Sequence, residues 1–378
     1  MCRLPHLQMD WIMMEKNQEL LLQRLSRVLF GNPDSSPLPD DVFAEARIQA
    51  VSSLVANDYQ VIAKNIRLIS AHAELTKLLE GIPFTSFKGY ASAFYYPVPE
   101  KRVMGDVDFI VDPEYYQKAV DRLFHAGLER QKQHNPIHEI YKKMGITYEL
   151  HSEINGIPDG INGTKTENMP AGIKIRKMLE DLIDTSVKVE TQQGPIIIPD
   201  EFHHGLIMLL HITEHMVNAE GVGLRHLCDW AVYAHRVDLE LFRDRLEELG
   251  LWTFACQLTA VSSAYLGLPK KHWAGEWPEQ FLEGLIEDFL NAGNFGRQND
   301  GRAYSLILAK DSYAELIRTE FPFSRKYPVL LPCAMMIYPF RYIMKVITGE
   351  KKLVKLSTIK DAKKRNRIYD QFQLFKTK

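Results

Sequence analysis

The sequence is poor in cysteine and contains no long uninterrupted apolar run. Its 378 residues include only 4 cysteines, and no two of them have the Cys-x-x-Cys spacing. Widely separated cysteines are typical of free thiols in a reducing compartment, which argues against a disulfide framework. The longest apolar stretch, residues 329–340, contains two prolines and is too short to span a bilayer. Charged residues Asp10, Glu15 and Lys16 interrupt the N-terminal region, so we expect no signal peptide and a cytoplasmic location.

The chain also has little net charge. Its 46 basic and 48 acidic residues give a net charge of −2, which provides no general attraction to nucleic acid. The distribution is uneven, however, because residues 349–378 contain 10 Lys or Arg and only 3 acidic residues. This basic segment follows the apolar stretch, a combination compatible with contact to an anionic membrane or another polyanion. The alternative, which the residue types favour, is a buried apolar helix followed by a solvated basic helix.

The composition is that of a folded protein with more than one domain. Apolar residues make up 46% and charged residues 25%, as in globular chains, and 378 residues are too many for one ordinary core. Hydrophobic periodicity predicts an α+β protein, in which a small mixed sheet with flanking helices precedes a mostly helical domain. The predicted divisions are N-terminal helices packing on the core at 1–79, the sheet domain at 80–200, the helical domain at 201–325, and apolar, then basic, helices at 326–378. Helices of the second half are predicted at 201–218, 224–236, 239–266, 280–292 and 327–347.

Two aspartates and a glutamate form the pattern that says most about chemistry. Residues 106–111 place Asp106 and Asp108 in alternation with apolar side chains, which predicts a strand with both carboxylates on one face. Two carboxylates about 7 Å apart along a strand are well placed to share divalent cations. Glu149 lies in a second alternating run, and on a neighbouring strand it would complete a trio of acids. A strand end leading into the turn at residues 112–113 is the alternative interpretation of the aspartate pair.

Four stretches of the sequence resemble a known family. They are Phe87-Lys88-Gly89, Arg102-Val103-Met104-Gly105-Asp106-Val107-Asp108-Phe109-Ile110-Val111, Tyr148-Glu149-Leu150-His151 and Gly221-Val222-Gly223-Leu224-Arg225-His226-Leu227-Cys228-Asp229-Trp230. They are similar to the uncharacterised nucleotidyltransferase family of the DNA-polymerase-beta-like superfamily, over about residues 45–300. The resemblance implies a four- or five-stranded nucleotidyltransferase sheet, in which a glycine turn meets the phosphates of the incoming nucleotide.

The resemblance also implies roles for individual residues. The acids that would hold two Mg²⁺ (or Mn²⁺) ions and act in catalysis are Asp106, Asp108 and Glu149. The residues that would bind the triphosphate are Lys88, Gly89 and Arg102. The resemblance implies a weaker, substrate-facing role for Arg225 and Asp229. His151 could hydrogen-bond a ligating carboxylate or equally be a partly buried polar residue without a chemical role. Simpler explanations stay open, because Arg102 could be a solvent-facing charge, and Arg225 and Asp229 could form an ordinary i, i+4 helix ion pair.

Three features depart from the superfamily pattern. The turn is Gly89-Tyr90 instead of Gly-Ser or Gly-Gly, 16 residues separate Gly89 from Asp106, and the third acid is a glutamate. We therefore expect a remodelled phosphate site, in which Lys88 and Arg102 supply charge where backbone amides would otherwise serve.

Together these residues predict a magnesium-dependent nucleotidyltransferase. It would transfer a nucleoside monophosphate from a nucleoside triphosphate to a hydroxyl group of a small molecule, a sugar or a protein. A non-catalytic nucleotide-binding or regulatory module of the same fold is the first alternative. The second is a zinc hydrolase built on His211 and His215, which have i, i+4 spacing. Glu214, however, is in the wrong register for a His-Glu-x-x-His metalloprotease.

Overall fold

The computed structural model describes most of the chain. The described residues are 14–32, 36–132, 137–158, 169–217, 221–293, 317, 321, 323–348 and 367–376. They form an α+β fold, in which a five-stranded mixed sheet precedes a helical region. The fold class predicted from the sequence is therefore confirmed.

Four helices precede the sheet. They are α1 (Lys16–Phe30), α2 (Asp40–Ile48), α3 (Ser52–Val55) and α4 (Tyr59–Leu78). In α1 the buried side chains Leu21, Leu25 and Leu29 recur every four residues, so they form one apolar face. After α4 the chain turns toward the sheet at Gly81, where φ is 73°, a conformation that glycine adopts without steric cost.

The sheet contains five strands in the order β1-β2-β5-β4-β3. They are β1 (Phe84–Phe87), β2 (Val107–Val111), β3 (Glu129–Arg130), β4 (His138–Lys143) and β5 (Ile146–His151). The pair β2–β5 is parallel, whereas the other pairs are antiparallel. The helices α5 (Gly89–Ala93) and α6 (Tyr116–His125) follow β1 and β2. Both alternating runs are strands, as predicted, although β2 begins one residue after Asp106.

A helix, a hairpin and the helical region follow the sheet. They are α7 (Met169–Met178), β6 (Val187–Val189), β7 (Ile196–Ile198), α8 (Glu201–Val217), α9 (Leu224–Arg236), α10 (Arg243–Glu248), α11 (Trp252–Tyr265), α12 (Glu279–Ala292), α13 (Phe323–Lys326) and α14 (Leu331–Ile347). The prediction of one helix over 239–266 is wrong, because the chain turns at Gly250 between α10 and α11. At Gly250 φ is 65°, and a Cβ there would lie 2.7 Å from backbone atoms of Phe375 and Lys376. Only glycine fits this turn.

Two hydrophobic cores hold the sheet and the helical region. One contains α4, α6 and the sheet, with Leu68 and Phe109 among its buried side chains. The other contains α1–α3 together with α8–α12 and is built around Trp230. Phe87, the last residue of β1, belongs to this second core. The sheet and the helical region therefore meet where β1 ends.

The apolar C-terminal helix is not the buried helix that the sequence favours. Six large apolar side chains of α14 are more than half exposed. The basic segment that follows lies, over residues 349–366, outside the described residues. In the part of the chain that the structure describes, no helix has both the length and the apolar character needed to cross a membrane.

Candidate active site

Strand pairing brings the three acids together. In the parallel pair β2–β5, Asp108 lies opposite Glu149, and paired residues of neighbouring strands have adjacent side chains. Asp106 immediately precedes β2. Asp108 is buried, with 2% exposure, whereas Asp106 and Glu149 are half-buried. All three acids line one cleft of about 290 Å³.

Three nitrogen-bearing side chains contact these carboxylates. Lys88 Nζ lies 3.3 Å from Asp108 Oδ1, and His151 Nε2 lies 3.0 Å from the same oxygen. His151 Nε2 also lies 3.5 Å from Glu149 Oε2. His138 Nε2 lies 3.6 Å from that glutamate oxygen. His151 thus bridges Asp108 and Glu149.

His138 is a member of the site that sequence reasoning missed. It lies on β4 directly opposite His151 on β5. The two strands form a hairpin around the turn Met144-Gly145, and the length of such a turn is the signal from which the register could have been found. The ligand atoms of His138, Glu149 and His151 lie within 4.8 Å of one another. Imidazole nitrogens and a carboxylate oxygen are ligands that suit divalent transition metals. This group of ligands shares Glu149 with the carboxylate site of Asp106 and Asp108.

Crowded negative charge perturbs the two aspartates in opposite directions. The negative charge of Asp108 is the largest cause that raises the pKa of Asp106 to about 7, and burial and the charge of Glu149 add to it. Burial opposes ionisation of Asp108, but Lys88 and His151 outweigh it and hold the pKa of Asp108 well below its usual value. A bound cation relieves repulsion of this kind between carboxylates. The carboxylate oxygens are ligands for a divalent cation, and their mutual repulsion favours the binding of one.

The turn after β1 places Lys88 beside the acids. At Lys88 φ is 56°, which is uncommon for a residue other than glycine, and α5 begins at Gly89. A Cβ on Gly89 would lie 3.1 Å from His72 Nε2 and 3.3 Å from the Asp106 carbonyl oxygen. Gly89 therefore permits close packing of the turn on α4 and on the segment before β2, and it also lines the cleft.

Arg102 is engaged by Asp229 of α9. Its Nε donates to Asp229 Oδ1 at 3.0 Å and its Nη2 to Oδ2 at 2.6 Å, and Nη1 donates to the Gly89 carbonyl oxygen at 3.2 Å. The Tyr96 hydroxyl donates to the same carboxylate at 2.8 Å. Arg102 is buried, so it is not a solvent-facing charge. It borders the cleft, and its binding of phosphate stays a prediction.

Helices α8 and α9 form the wall of the cleft that faces the acids. This wall carries His204, His211, Arg225 and His226. Burial lowers the pKa of both His211 and His226 well below the usual value, so these rings are neutral at pH 7. Burial also lowers the pKa of Arg225 to about 10, and its Nη2 lies 3.1 Å from His226 Nε2. The wall therefore presents neutral imidazoles and a cationic guanidinium.

His211 and His215, on which the zinc hydrolase alternative depends, both belong to α8. The ligand atoms of His211, Glu214 and His215 lie within 4.8 Å of one another, a separation compatible with a shared metal ion. Lys88 and Arg225 are close enough to lower the pKa of His211 further. Their positive charge disfavours a cation at this point of the cleft.

Residues 23–267 match the uncharacterised nucleotidyltransferase family, and this match covers well over half of the chain. The chain belongs to this family. No curated protein and no solved structure matches it. The family match includes the whole cleft and ends after α11, so α12–α14 lie beyond it. Membership of a nucleotidyltransferase family supports a general role in nucleotidyl transfer.

In this member of the uncharacterised nucleotidyltransferase family, the predicted site residues share one cleft. Those that line it are Lys88, Gly89, Arg102, Asp106, Asp108, Glu149, Arg225 and Asp229. His151 lies behind the acids and contacts two of them. Lys64, an exposed residue of α4, adds a cation to the cleft lining that sequence reasoning did not single out.

Proposed function

We propose that this protein transfers a nucleoside monophosphate from a nucleoside triphosphate to a hydroxyl group, with Mg²⁺ or Mn²⁺ as cofactor. The crowding of Asp106, Asp108 and Glu149 on one side of the cleft carries this proposal. Asp106 and Asp108 would hold the cations, with Glu149 as a further ligand. When bound, such ions neutralise the triphosphate and stabilise the attacking and leaving oxygens of a phosphoryl displacement.

In this proposal Glu149 is the acid that receives the proton of the acceptor hydroxyl. Its side chain is partly exposed to the cleft, whereas that of Asp108 is buried. In the proposed reaction the acceptor oxygen bonds to the α-phosphorus, the bond to pyrophosphate breaks, and the hydroxyl proton passes to the Glu149 carboxylate. His138 and His151 contact this carboxylate and would fix its orientation.

Lys88 is the residue best placed to bind the triphosphate. Although burial opposes its charge, Asp108 raises the pKa of Lys88, so the side chain is an ammonium at pH 7. An anion bound beside the acids would lie next to this ammonium. Arg102 would act less directly, because Asp229 already holds its guanidinium. It would fix the Gly89 carbonyl group and thereby the turn that carries Lys88.

The proposal is tested with the double variant Asp106→Asn/Asp108→Asn. Wild-type protein should show a rise in melting temperature with one of the four nucleoside triphosphates when Mg²⁺ or Mn²⁺ is present, because ligands stabilise the state that binds them. The double variant should lose this cation-dependent shift, and its pyrophosphate release should fall by about 1000-fold or more.

Asp41→Asn is the matched control, since Asp41 is exposed at the start of α2 and lies outside the cleft. It should behave as wild type. A double variant that still binds nucleotide in a cation-dependent way and releases pyrophosphate would contradict the proposed mechanism.

A non-catalytic nucleotide-binding module is the second candidate, and one observation favours it. Lys88 forms an ion pair with Asp108 and His151 contacts the same oxygen, so part of the acidic charge already has protein partners. Under this alternative, nucleotide raises the melting temperature without added cation, and no pyrophosphate appears with any of a panel of hydroxyl acceptors. The two measurements above therefore separate the two functions.

A further inference from the structure

Helix α14 buries one side in a small apolar cluster, and large apolar side chains on another side are exposed in the described part of the chain. Its buried residues Ala334 and Tyr338 cluster with Ile317 and Phe321. Its exposed apolar side chains are Met336 (75% exposed), Ile337, Phe340 (73%), Ile343, Met344 and Ile347 (72%). We call these six residues the exposed stripe, because positions 336, 340, 343 and 347 follow the helical repeat.

The apolar surface continues into the segment that precedes the helix. The exposed side chains there are Phe323, Tyr327, Val329 and Leu330. Residues 323–347 thus carry 10 of the 20 large apolar side chains that are exposed in the described part of the chain. Single exposed apolar residues are ordinary, but a concentration of this kind marks an interaction surface.

The excess of basic residues in and after α14 indicates which kind of partner covers this apolar surface. Residues 321–348 contain four Lys or Arg and no Asp or Glu, and residues 349–378 add 10 basic residues against 3 acidic ones. Arg341 and Lys345 belong to α14 itself. Basic residues interspersed with an apolar stripe are the composition of a helix that lies in the interface of an anionic membrane.

We propose that the exposed stripe of α14 binds the surface of an anionic lipid bilayer. Met336, Phe340 and Ile347 would enter the boundary between headgroups and acyl chains, while Arg341, at the flank of the exposed stripe, contacts lipid phosphates. The helix lies on the bilayer and does not cross it. This attachment does not depend on the proposed transfer reaction, since α14 lies beyond the family match that includes the cleft.

The test is flotation of the full-length protein with vesicles. Wild type should bind vesicles of phosphatidylglycerol and phosphatidylcholine, bind poorly to phosphatidylcholine alone, and bind less as salt increases. The triple variant Met336→Gln/Phe340→Gln/Ile347→Gln should reduce the partition coefficient by roughly 100-fold or more, since three large apolar side chains no longer enter the bilayer. All three residues are exposed, so circular dichroism and the melting temperature should match wild type.

Two further variants separate apolar insertion from charge. The double variant Phe124→Gln/Leu241→Gln is the matched control, because these residues are equally exposed, at 74% and 76%, on other surfaces. It should bind vesicles as wild type does. Arg341→Glu should weaken binding to anionic vesicles without abolishing it, because the 10 basic residues of 349–378 remain.

Three results would overturn the proposal. The first is a wild-type protein that binds neither kind of vesicle. The second is a triple variant that binds as well as wild type. The third is a wild-type dimer that the triple variant converts to a monomer, without vesicle binding by either, because a second copy of the chain would then cover the exposed stripe.

Discussion

Among single residues, Asp229 fixes the helical wall of the cleft to the segment between β1 and β2. It lies on α9, and its partners Tyr96 and Arg102 both lie in that segment. Although burial opposes its ionisation, Arg102 holds the pKa of Asp229 below its usual value. Breaking a buried ion pair from one side is costly, because the remaining charge is left buried without a counter-charge.

We therefore expect Asp229→Asn to lower the free energy of unfolding by about 3–5 kcal/mol. Asparagine keeps the shape of the side chain, but the guanidinium of Arg102 loses its counter-charge. Urea unfolding measures the change. Tyr96→Phe is the comparison, because it removes one hydrogen bond to the same charged carboxylate, leaves the ion pair in place, and should cost about 1.5–3 kcal/mol. Small and equal losses in both variants would show that the ion pair contributes no more than an ordinary hydrogen bond.

The three acidic residues of the site could be predicted from the sequence. The side chains that contact the site residues were not predicted. Asp106, Asp108 and Glu149 stand out because they alternate with apolar residues. The bond from Arg102 to Asp229 joins residues 127 apart in the chain, and it exists because α9 packs beside the cleft. His138 meets Glu149 only through the pairing of β4 with β5. Tertiary packing determines the first of these contacts, and the register of the β4–β5 hairpin determines the second.

Among the elements of the fold, the turn from β1 to α5 is under the tightest packing constraint at the cleft. The family resemblance implies that residue 89 is a glycine because the phosphates of the nucleotide approach the turn closely. The structure adds a second reason, which is close packing of the turn on its neighbours. His72 of α4 and the carbonyl oxygen of Asp106 both come close to the position of a missing Cβ. A side chain at Gly89 requires His72 or the segment that carries Asp106 to give way by a few tenths of an ångström.

We expect Gly89→Ala to cost about 1–3 kcal/mol of stability, as overpacked sites do. It should also weaken the nucleotide-dependent rise in melting temperature, because Lys88 moves with the turn. Gly105→Ala is the matched control for stability, since a Cβ there meets nothing within 4 Å, and its effect should stay within about 0.5 kcal/mol. Equal unfolding free energies for the two variants would contradict the packing argument.

Element boundaries show where sequence patterns stop being informative. The long alternating runs are strands, whereas β6 and β7 have three residues each, too few for periodicity to reveal. The residues from 239 to 266 have a helical pattern throughout, but the turn at Gly250 packs against Phe375 and Lys376. Gly250 ends α10 locally, because in its left-handed conformation its amide donates to the Glu247 carbonyl oxygen and the Leu251 amide donates to the Leu246 carbonyl oxygen. The glycine is a helix-stop signal that the prediction of one helix over 239–266 passed over.

For the whole molecule, the segment between β1 and β2 is held from both sides of the cleft. On the sheet side, Asn65 of α4 donates to the Glu100 carbonyl oxygen at 2.8 Å and accepts from the Met104 amide at 3.1 Å. On the helical side, the segment is held by the bond from Arg102 to Asp229. Buried polar bonds of this kind couple the two hydrophobic cores, because neither core can open without breaking them.

We therefore expect the sheet core and the helical core to unfold as one unit in urea. Tryptophan fluorescence reports mainly on the helical core, because four of the five tryptophans, Trp230, Trp252, Trp273 and Trp277, contact it. Hydrogen exchange of the β2 and β5 amides reports on the sheet, and both should give the same midpoint. In Asp229→Asn the two midpoints should separate, because the main polar link across the cleft has lost its charge. Separate midpoints already in the wild type would mean that the cleft joins two independently stable halves, and a ligand bound between them would then be needed to couple them.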